Sequence, residues 1–261
     1  MPIHLAQSWP AHEAVLFDLD GVVTPTAEVH MRAWSHMFNA WLDGLRESGD
    51  APAGADLSAY TDADYFAHVD GKPRYDGVRD LVASRGIALP EGDPTDEPAA
   101  ETVCGLGNRK NDAFNEVLER DGVTAYPGSV ALLDHLRDLG LPLAVVSSSG
   151  NAPAVLEAAG LLDRFAFVMS GVVATERGLP GKPAPDTFLA AAEELGASAA
   201  GCVVLEDAVS GVKAGAAGGF ADVVGVDRGA GADVLTAAGA TLVVSDLAEL
   251  VPADGTAGAA S

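Results

Sequence analysis

Cysteine is almost missing from this chain: Cys104 and Cys202 are the only two. Two isolated thiols exclude a disulfide framework and a cysteine-based zinc site, so both are expected to be buried or incidental. Basic residues are scarce as well, 15 Lys and Arg against 38 Asp and Glu, for a net charge of −23. A nucleic-acid partner needs the opposite balance, and none is expected. Such acidity also repels a free anionic substrate, so any anion site has to be assembled locally from a metal ion, a few cations and backbone N–H groups. Long apolar runs are absent too. No stretch reaches the roughly 18 uninterrupted apolar residues of a membrane span, and Met1 to Pro10 lacks a basic segment followed by an apolar one. No membrane association and a cytoplasmic location are the expectations.

What is present is ample apolar material, 48% of 261 residues. That length favours one large domain with a smaller insert, or two domains. Val15 to Phe17 form a continuous apolar run that stops at Asp18-Leu19-Asp20-Gly21-Val22-Val23-Thr24. Such a run, bounded by a turn signal, suits a parallel strand covered on both faces, and its carboxylates then sit at the C-terminal mouth, where open α/β sheets bind ligands. Side chains at i and i+2 leave a strand on the same side, roughly 6–7 Å apart at Cα. One acid can attack while the other moves a proton, and two close carboxylates invite a divalent cation. A calcium EF-hand is excluded, because loop positions 6 and 12 counted from Asp18 are Val23 and Val29, where Gly and Glu are required.

Further along, Glu28 to Leu42 carries a 3.6-residue stripe of Ala33, Trp34, Met37, Phe38, Trp41 and Leu42, with Thr26 placed to cap it and His30 on the same stripe. Asp43 to Asp56 reads as a loop. Thr61 to Val69 and Asp76 to Ser84 are short helical patterns around the turn Asp70-Gly71-Lys72-Pro73-Arg74, which holds two of the scarce cations. Leu89 to Ala100 is a Pro/Asp/Glu/Gly loop. A helix from Gly107 has Phe114, Val117 and Leu118 on its apolar face and Lys110 one turn earlier. From Tyr126 the pattern becomes regular α/β alternation. Its strands are predicted at 143–146, 167–169, 202–205, 223–226 and 241–244, and its helices from 127 to a stop at Gly140, at 152–159 (N-cap Asn151), 186–195 and 210–217. Alternation of this kind implies a doubly wound parallel sheet with right-handed crossovers. The expected organisation is a Rossmann-like α/β core, 1–26 and 126–252, with an inserted α-helical cap, 27–125, and a small, polar tail at 253–261 that is expected to be disordered.

Three apolar strands end in polar groups: Asp18 and Asp20, Ser147, and Glu206 with Asp207. Lys182 precedes another helix. If the strands are parallel neighbours, all of these converge on one edge, and the chemistry they suggest is phosphoryl transfer. An aspartate nucleophile splits the displacement into two steps through an acyl phosphate. Mg²⁺ held by carboxylates lets an anionic nucleophile approach an anionic phosphate. Lys182 and Ser147 supply the remaining contacts.

These motifs, in this order, resemble the haloacid dehalogenase superfamily: Asp18-Leu19-Asp20-Gly21-Val22-Val23-Thr24, the serine at 147, the lysine of Gly181-Lys182-Pro183-Ala184-Pro185-Asp186, and the acidic pair of Leu205-Glu206-Asp207-Ala208. The resemblance extends from about Ala14 to Leu250 and implies the following roles. Asp18 is the nucleophile, and Asp20 the general acid/base and a metal ligand through its backbone carbonyl. Ser147 and Lys182 contact the transferring phosphate, and Glu206 and Asp207 sit at Mg²⁺, Glu206 directly or through water. The dehalogenase branch lacks the second aspartate, so Asp20 argues for a phosphate substrate.

Within the superfamily the sequence resembles the β-phosphoglucomutase family. The matching segments are Thr26 to His30 with Arg32-Ala33-Trp34, Gly71 to Arg74, Arg109-Lys110-Asn111-Asp112, Tyr126-Pro127-Gly128 and Gly181 to Phe188. The resemblance implies that His30 hydrogen-bonds the acid/base aspartate, that Arg74 holds the phosphate not being transferred, and that Lys110 contacts the sugar phosphate, with Gly71, Trp34, Ser149 and Asn151 also on the substrate. Gly150 stands where the family has a lysine, and Pro25 where it often has Asp. The expected activity is interconversion of β-glucose 1-phosphate and glucose 6-phosphate by a monomer. The alternatives are a sugar-phosphate phosphatase and, from another class, a catalytically silent phosphosugar-binding protein.

Overall fold

Six short runs of Val, Leu and Ala form the only sheet among the described residues, which are Leu5 and 8–252 of this computed structural model. The tail at 253–261 lies outside them. The strands are β1 (Ala14–Phe17), β2 (Leu143–Val146), β3 (Phe167–Met169), β4 (Cys202–Glu206), β5 (Asp222–Val226) and β6 (Leu242–Val244). All neighbours pair in parallel, in the order β3-β2-β1-β4-β5-β6. Every residue of β1, β2 and β4 is buried, as an unalternating apolar run requires when helices cover both faces. β1 therefore lies at the centre, with Val15 opposite both Leu143 and Val203. After β3 the chain crosses to the other side of β1, so the strand order reverses between β1 and β4. That reversal is the topological switch point, where a doubly wound sheet opens a crevice.

One sheet face packs Leu16, Val146, Met169 and Val204 against Phe188, Ala191, Val212 and Leu235 from the helices Asp186–Glu194, Val209–Gly218 and Ala232–Ala238. Each of the larger of these side chains, Ala191 aside, contributes about 1.5–3 kcal/mol by leaving water. On β1 the pleat alternates, and Phe17 meets Phe165 edge-on at 5.8 Å.

By its internal contacts the chain divides into two units, Met1–Pro25 with Thr124–Ser261, and Thr26–Val123. The second consists of helices and loops, with no strand among the described residues. Its helix Thr26–Ser48 buries Trp34, Met37, Phe38, Trp41 and Leu42 against Tyr60, Val78, Leu81 and Leu106. The Val103–Asp121 helix packs on it and on Arg74–Ser84. Arg85 is buried in this unit, donating to Ser58 O at 3.0 Å and pairing with Asp56 and Asp64 at 3.2 and 3.0 Å.

Several local expectations shift. The first cap helix includes Thr26 in its opening turn and runs on to Ser48, because Leu45 still packs on the cap core and Asp43 pairs with Arg46 one turn on. Arg74 begins a helix instead of closing a turn. The last cap helix starts at Val103, four residues early. Gly105 and Gly107 lower its intrinsic propensity, but Thr102 caps it by accepting from Gly105 N at 2.9 Å. Asn151 makes no capping bond with its side chain. The helices Gly171–Glu176 and Ala232–Ala238 carry too little periodicity to be read in advance.

Candidate active site

The first carboxylate is held by the sheet itself. Asp18 N donates to Leu205 O at 2.9 Å, extending the β1–β4 ladder one residue past the strand. The chain then winds into a turn: Val23 N and Thr24 N both donate to Leu19 O, Gly21 N donates to Thr24 O at 2.7 Å, and Gly21 takes a φ of +85°. Leu19, Val22 and Val23 are fully buried beneath it. The turn, not the strand pleat, therefore positions Asp20, which forms an isolated bridge with Thr24.

Lys182 gathers the site. Its ammonium donates to Asp18 Oδ1 at 2.5 Å, to Glu206 Oε1 at 2.6 Å and to Val146 O at 2.9 Å, using all three protons. All three partners sit in or just past the C-terminal ends of β1, β2 and β4, three adjacent strands. Lys182 is only 3% exposed, Asp18 7% and Glu206 0%. Burial by itself lowers the Lys182 pKa, but Asp18 and Glu206 more than offset this and hold it above its ordinary value. Burial pushes the Asp18 carboxyl well above the usual range; Lys182 opposes the rise, while Glu206 and Asp20 add to it. Two carboxylates sharing one buried ammonium leave the cluster short of positive charge.

Asp207 completes an acidic group. Ligand oxygens of Asp18, Glu206 and Asp207 all lie within 4.8 Å of one another. Hard oxygen donors with excess negative charge suit a small dication. The second oxygen of Glu206 accepts from Ala208 N at 2.7 Å, so both of its oxygens already hold protein donors. This suits Glu206 to contact an ion through water.

Ser147 follows β2. Its N–H donates to Met169 O at 2.9 Å, and its Oγ accepts from Ser149 N at 3.1 Å. Ser149 Oγ repeats the motif by accepting from Asn151 N at 3.2 Å. Two successive hydroxyl turns thus shape the loop, and each hydroxyl can still donate its own proton. At Gly150 a β-carbon would meet only Val172 Cγ2, at 3.2 Å.

The other site candidates lie in the helical unit. Lys110, 4% exposed, hydrogen-bonds His30 Nδ1, and its ammonium stands 5.0 Å from the Trp34 ring and 5.1 Å from the Phe114 ring. His30 stacks on Phe114, with centroids 4.0 Å apart. An ammonium can only donate, so this bond places the imidazole proton on Nε2 and makes that nitrogen a donor. Trp34 itself is buried in the cap core. Gly71 takes a φ of +68° in the turn before Arg74. The two cations of that turn differ: Lys72 is paired with Asp80, whereas Arg74 donates to the neutral Asn108 Oδ1 at 3.3 Å and lies 5.2 Å from the Tyr75 ring. Among the described residues no carboxylate pairs with Arg74, so its charge is uncompensated.

Sequence reading missed four contributors. A β-carbon at Gly21 would lie 1.8 Å from Asp207 Oδ2, and one at Gly211 would lie 1.7 Å from Glu206 Oε1; both glycines exist as room for carboxylates. Both stand inside quoted or adjoining motifs, but the reason for them is a distant neighbour. Arg228 donates to Gly21 O at 2.8 Å and Ser245 O at 3.0 Å, with its guanidinium 3.9 Å from the Tyr126 ring, and so ties down the turn that carries Asp20. Asn108 is the fourth. No signal in the sequence singles out either of these two.

The family described as haloacid dehalogenase-like hydrolase matches residues 12–219. The chain is 49% identical over 243 residues to the β-phosphoglucomutase of Mycobacterium tuberculosis (strain CDC 1551 / Oshkosh), covering 91% of each protein. It is 34% identical over 207 residues to hexitol phosphatase A of Escherichia coli (strain K12), covering 78% of each. Among solved structures, the β-phosphoglucomutase of Clostridium difficile shares the fold with a TM-score of 0.71 at 24% identity, over 92% of this chain and 93% of that one. Four motifs in order, a switch-point crevice that gathers them around one lysine, and this degree of likeness lead to one conclusion: the chain belongs to the haloacid dehalogenase-like hydrolase family, in its β-phosphoglucomutase-like branch.

Proposed function

We propose that the protein interconverts β-glucose 1-phosphate and glucose 6-phosphate through a phosphorylated Asp18, as a cytoplasmic monomer. The observation that carries the reading is the Asp18 carboxylate, buried at the switch point, bonded to Lys182 and followed two residues later by a second acid. The finer choice of a mutase is supported by the name of the mycobacterial relative and by the uncompensated charge of Arg74. A mutase needs a second phosphate site; a hydrolase of monophosphates does not.

Asp18 and Asp207 would hold Mg²⁺, with Glu206 acting through water and the Asp20 carbonyl as a further donor. When bound, such an ion offsets the clustered carboxylates and lets an anionic nucleophile meet an anionic phosphate. An Asp18 oxygen attacks phosphorus while the sugar oxygen leaves, taking a proton from Asp20; Lys182 and Ser147 hold the phosphoryl oxygens. Starting from the phosphorylated enzyme, the C6 hydroxyl of β-glucose 1-phosphate attacks the acyl phosphate and gives its proton to Asp20, forming β-glucose 1,6-bisphosphate. The bisphosphate reorients and its C1 phosphoryl group passes to Asp18. Glucose 6-phosphate leaves and the phosphoenzyme is restored. His30 Nε2–H is assigned to the Asp20 carboxylate, Arg74 to the phosphate not in transfer, and Lys110, Gly71, Trp34, Ser149 and Asn151 to holding the sugar phosphate.

The second reading is a sugar-phosphate phosphatase with the same nucleophile, favoured by the likeness to hexitol phosphatase A. Incubation with β-glucose 1-phosphate, Mg²⁺ and catalytic β-glucose 1,6-bisphosphate separates the two. Glucose 6-phosphate without free phosphate is expected; stoichiometric phosphate release overturns the mutase.

A further inference from the structure

Asn108 occupies a position in the cap where all four hydrogen-bonding capacities of its carboxamide are used. Its Oδ1 accepts from Arg74 Nη1 at 3.3 Å and from the Tyr75 hydroxyl at 2.9 Å. Its Nδ2 donates to Pro94 O at 3.0 Å and to Asp96 O at 2.9 Å. Arginine can only donate and a backbone carbonyl can only accept, so this network admits one orientation of the amide. The neighbouring Gly107 leaves the space. A β-carbon there would lie 2.7 Å from Tyr75 Cδ1 and 3.2 Å from Arg74 Cγ.

The segment that Asn108 grips is itself built. Asp96 accepts from Thr102 Oγ1 at 2.7 Å and from Asp93 N at 3.1 Å, Asp93 accepts from Thr95 N at 2.9 Å, and Arg109 donates to Pro98 O at 2.7 Å. Although this loop is rich in carboxylates, it offers Asn108 only backbone carbonyls. The consequence is electrostatic. A neutral acceptor orients a guanidinium and leaves its charge for another anion, whereas a carboxylate in the same place would neutralise it.

We propose that Asn108 is a positioning residue, which fixes the Arg74 guanidinium to the 93–102 loop so that this loop sets where the second phosphate of a bisphosphorylated sugar is held. The inference rests on the role given to Arg74 above. It makes the 93–102 loop a determinant of which phosphosugars are accepted, without that loop's acidic side chains touching the ligand.

Asn108→Asp supplies Arg74 with a carboxylate and deletes both donors to the loop. The expected result is an apparent KM for β-glucose 1,6-bisphosphate raised about tenfold or more, as the loss of a charge-assisted contact entails. The kcat stays within about threefold, and a larger share of turnover ends in free phosphate. Phosphorylation of Asp18 by acetyl phosphate, a donor with no second phosphate, proceeds at the wild-type rate and shows that the core is intact. Asn108→Ala moves KM in the same direction, and supplies the reading should the carboxylate disturb the loop. Arg74→Ala raises KM, and adding Asn108→Asp to it causes no further loss, because both act on one contact. Wild-type KM and partitioning in both Asn108 variants, or additive effects in the double variant, overturn the inference. If Arg74→Ala alone leaves KM unchanged, the role given to Arg74 fails first; if it raises KM and the Asn108 variants do not, only the role of Asn108 fails.

Discussion

Gly21 and Asp207 occupy adjoining space, so closely that a methyl group on the glycine would overlap the Asp207 carboxylate at 1.8 Å. The glycine also holds a φ of +85°, where L side chains are strained by about 1–2 kcal/mol. Gly21→Ala is expected to displace Asp207 and weaken Mg²⁺ binding about 10- to 100-fold, the usual consequence of disturbing what orients a ligand. Titration of Mg²⁺ by calorimetry checks this, and wild-type affinity would refute it.

Lys182 is paired with two buried carboxylates at once. Replacing it with Met strands Asp18 and Glu206 without a counter-charge, and the expected cost is about 3–5 kcal/mol of stability. Activity is expected to fall at least about 100-fold as the donor to the phosphoryl group disappears. Denaturant unfolding and steady-state rates measure the two effects separately. Unchanged unfolding midpoints would show that the ion cluster is not a structural element.

Asp18→Asn keeps the shape and both neighbours but removes the nucleophile. Turnover is expected to vanish while the fold persists, since an amide in place of a carboxylate loses the Lys182 ion pair but also relieves repulsion from Glu206 and Asp20, and the two changes oppose each other. Acetyl phosphate followed by intact-mass spectrometry should show one added phosphoryl group in the parent protein and none in the variant. Labelling of the variant would move the nucleophile elsewhere.

Cys202 is fully buried in β4, and burial, with a smaller contribution from Glu13, pushes its thiol up to about 11. The folded pKa is raised above the unfolded one, so the thiol's share of stability is complete below pH 9 and is lost as pH rises toward 11, up to ~3 kcal/mol in all. At pH 8 neither Cys202 nor the buried Cys104 should react with Ellman's reagent until denaturant is added. Cys202→Ala should flatten the stability decline between pH 9 and 11; an unchanged decline would assign it to other groups.

Much of the site was legible because its chemistry is written into short motifs. Asp18 and Asp20, Ser147, and Glu206 with Asp207 each follow or end an apolar run, and strand-end position is a local property, while Lys182 stands in a short motif before a helix. The cap was harder to read. The boundary at Ser48 depends on Leu45 packing on a remote core and that at Val103 on the Thr102 cap, while the glycines of the Val103–Asp121 helix point away from a helix when read alone. By charge and position alone Arg74 and Lys72 look equivalent in a turn of two cations; the family resemblance singles out Arg74, and the structure adds the pairing of Lys72 with Asp80.

By itself the sequence determined the alternation that makes a parallel sheet, the order of the motifs and the kinds of groups available, since these follow from composition and periodicity along the chain. The tertiary structure decided which groups share charge: Lys182 reaches Asp18 across 164 residues, Gly21 yields its side-chain space to Asp207, and Asn108 ties Arg74 to a loop. Packing and electrostatics act through distance in space, and the strand order that brings β4 against β1 is what turns remote positions into neighbours.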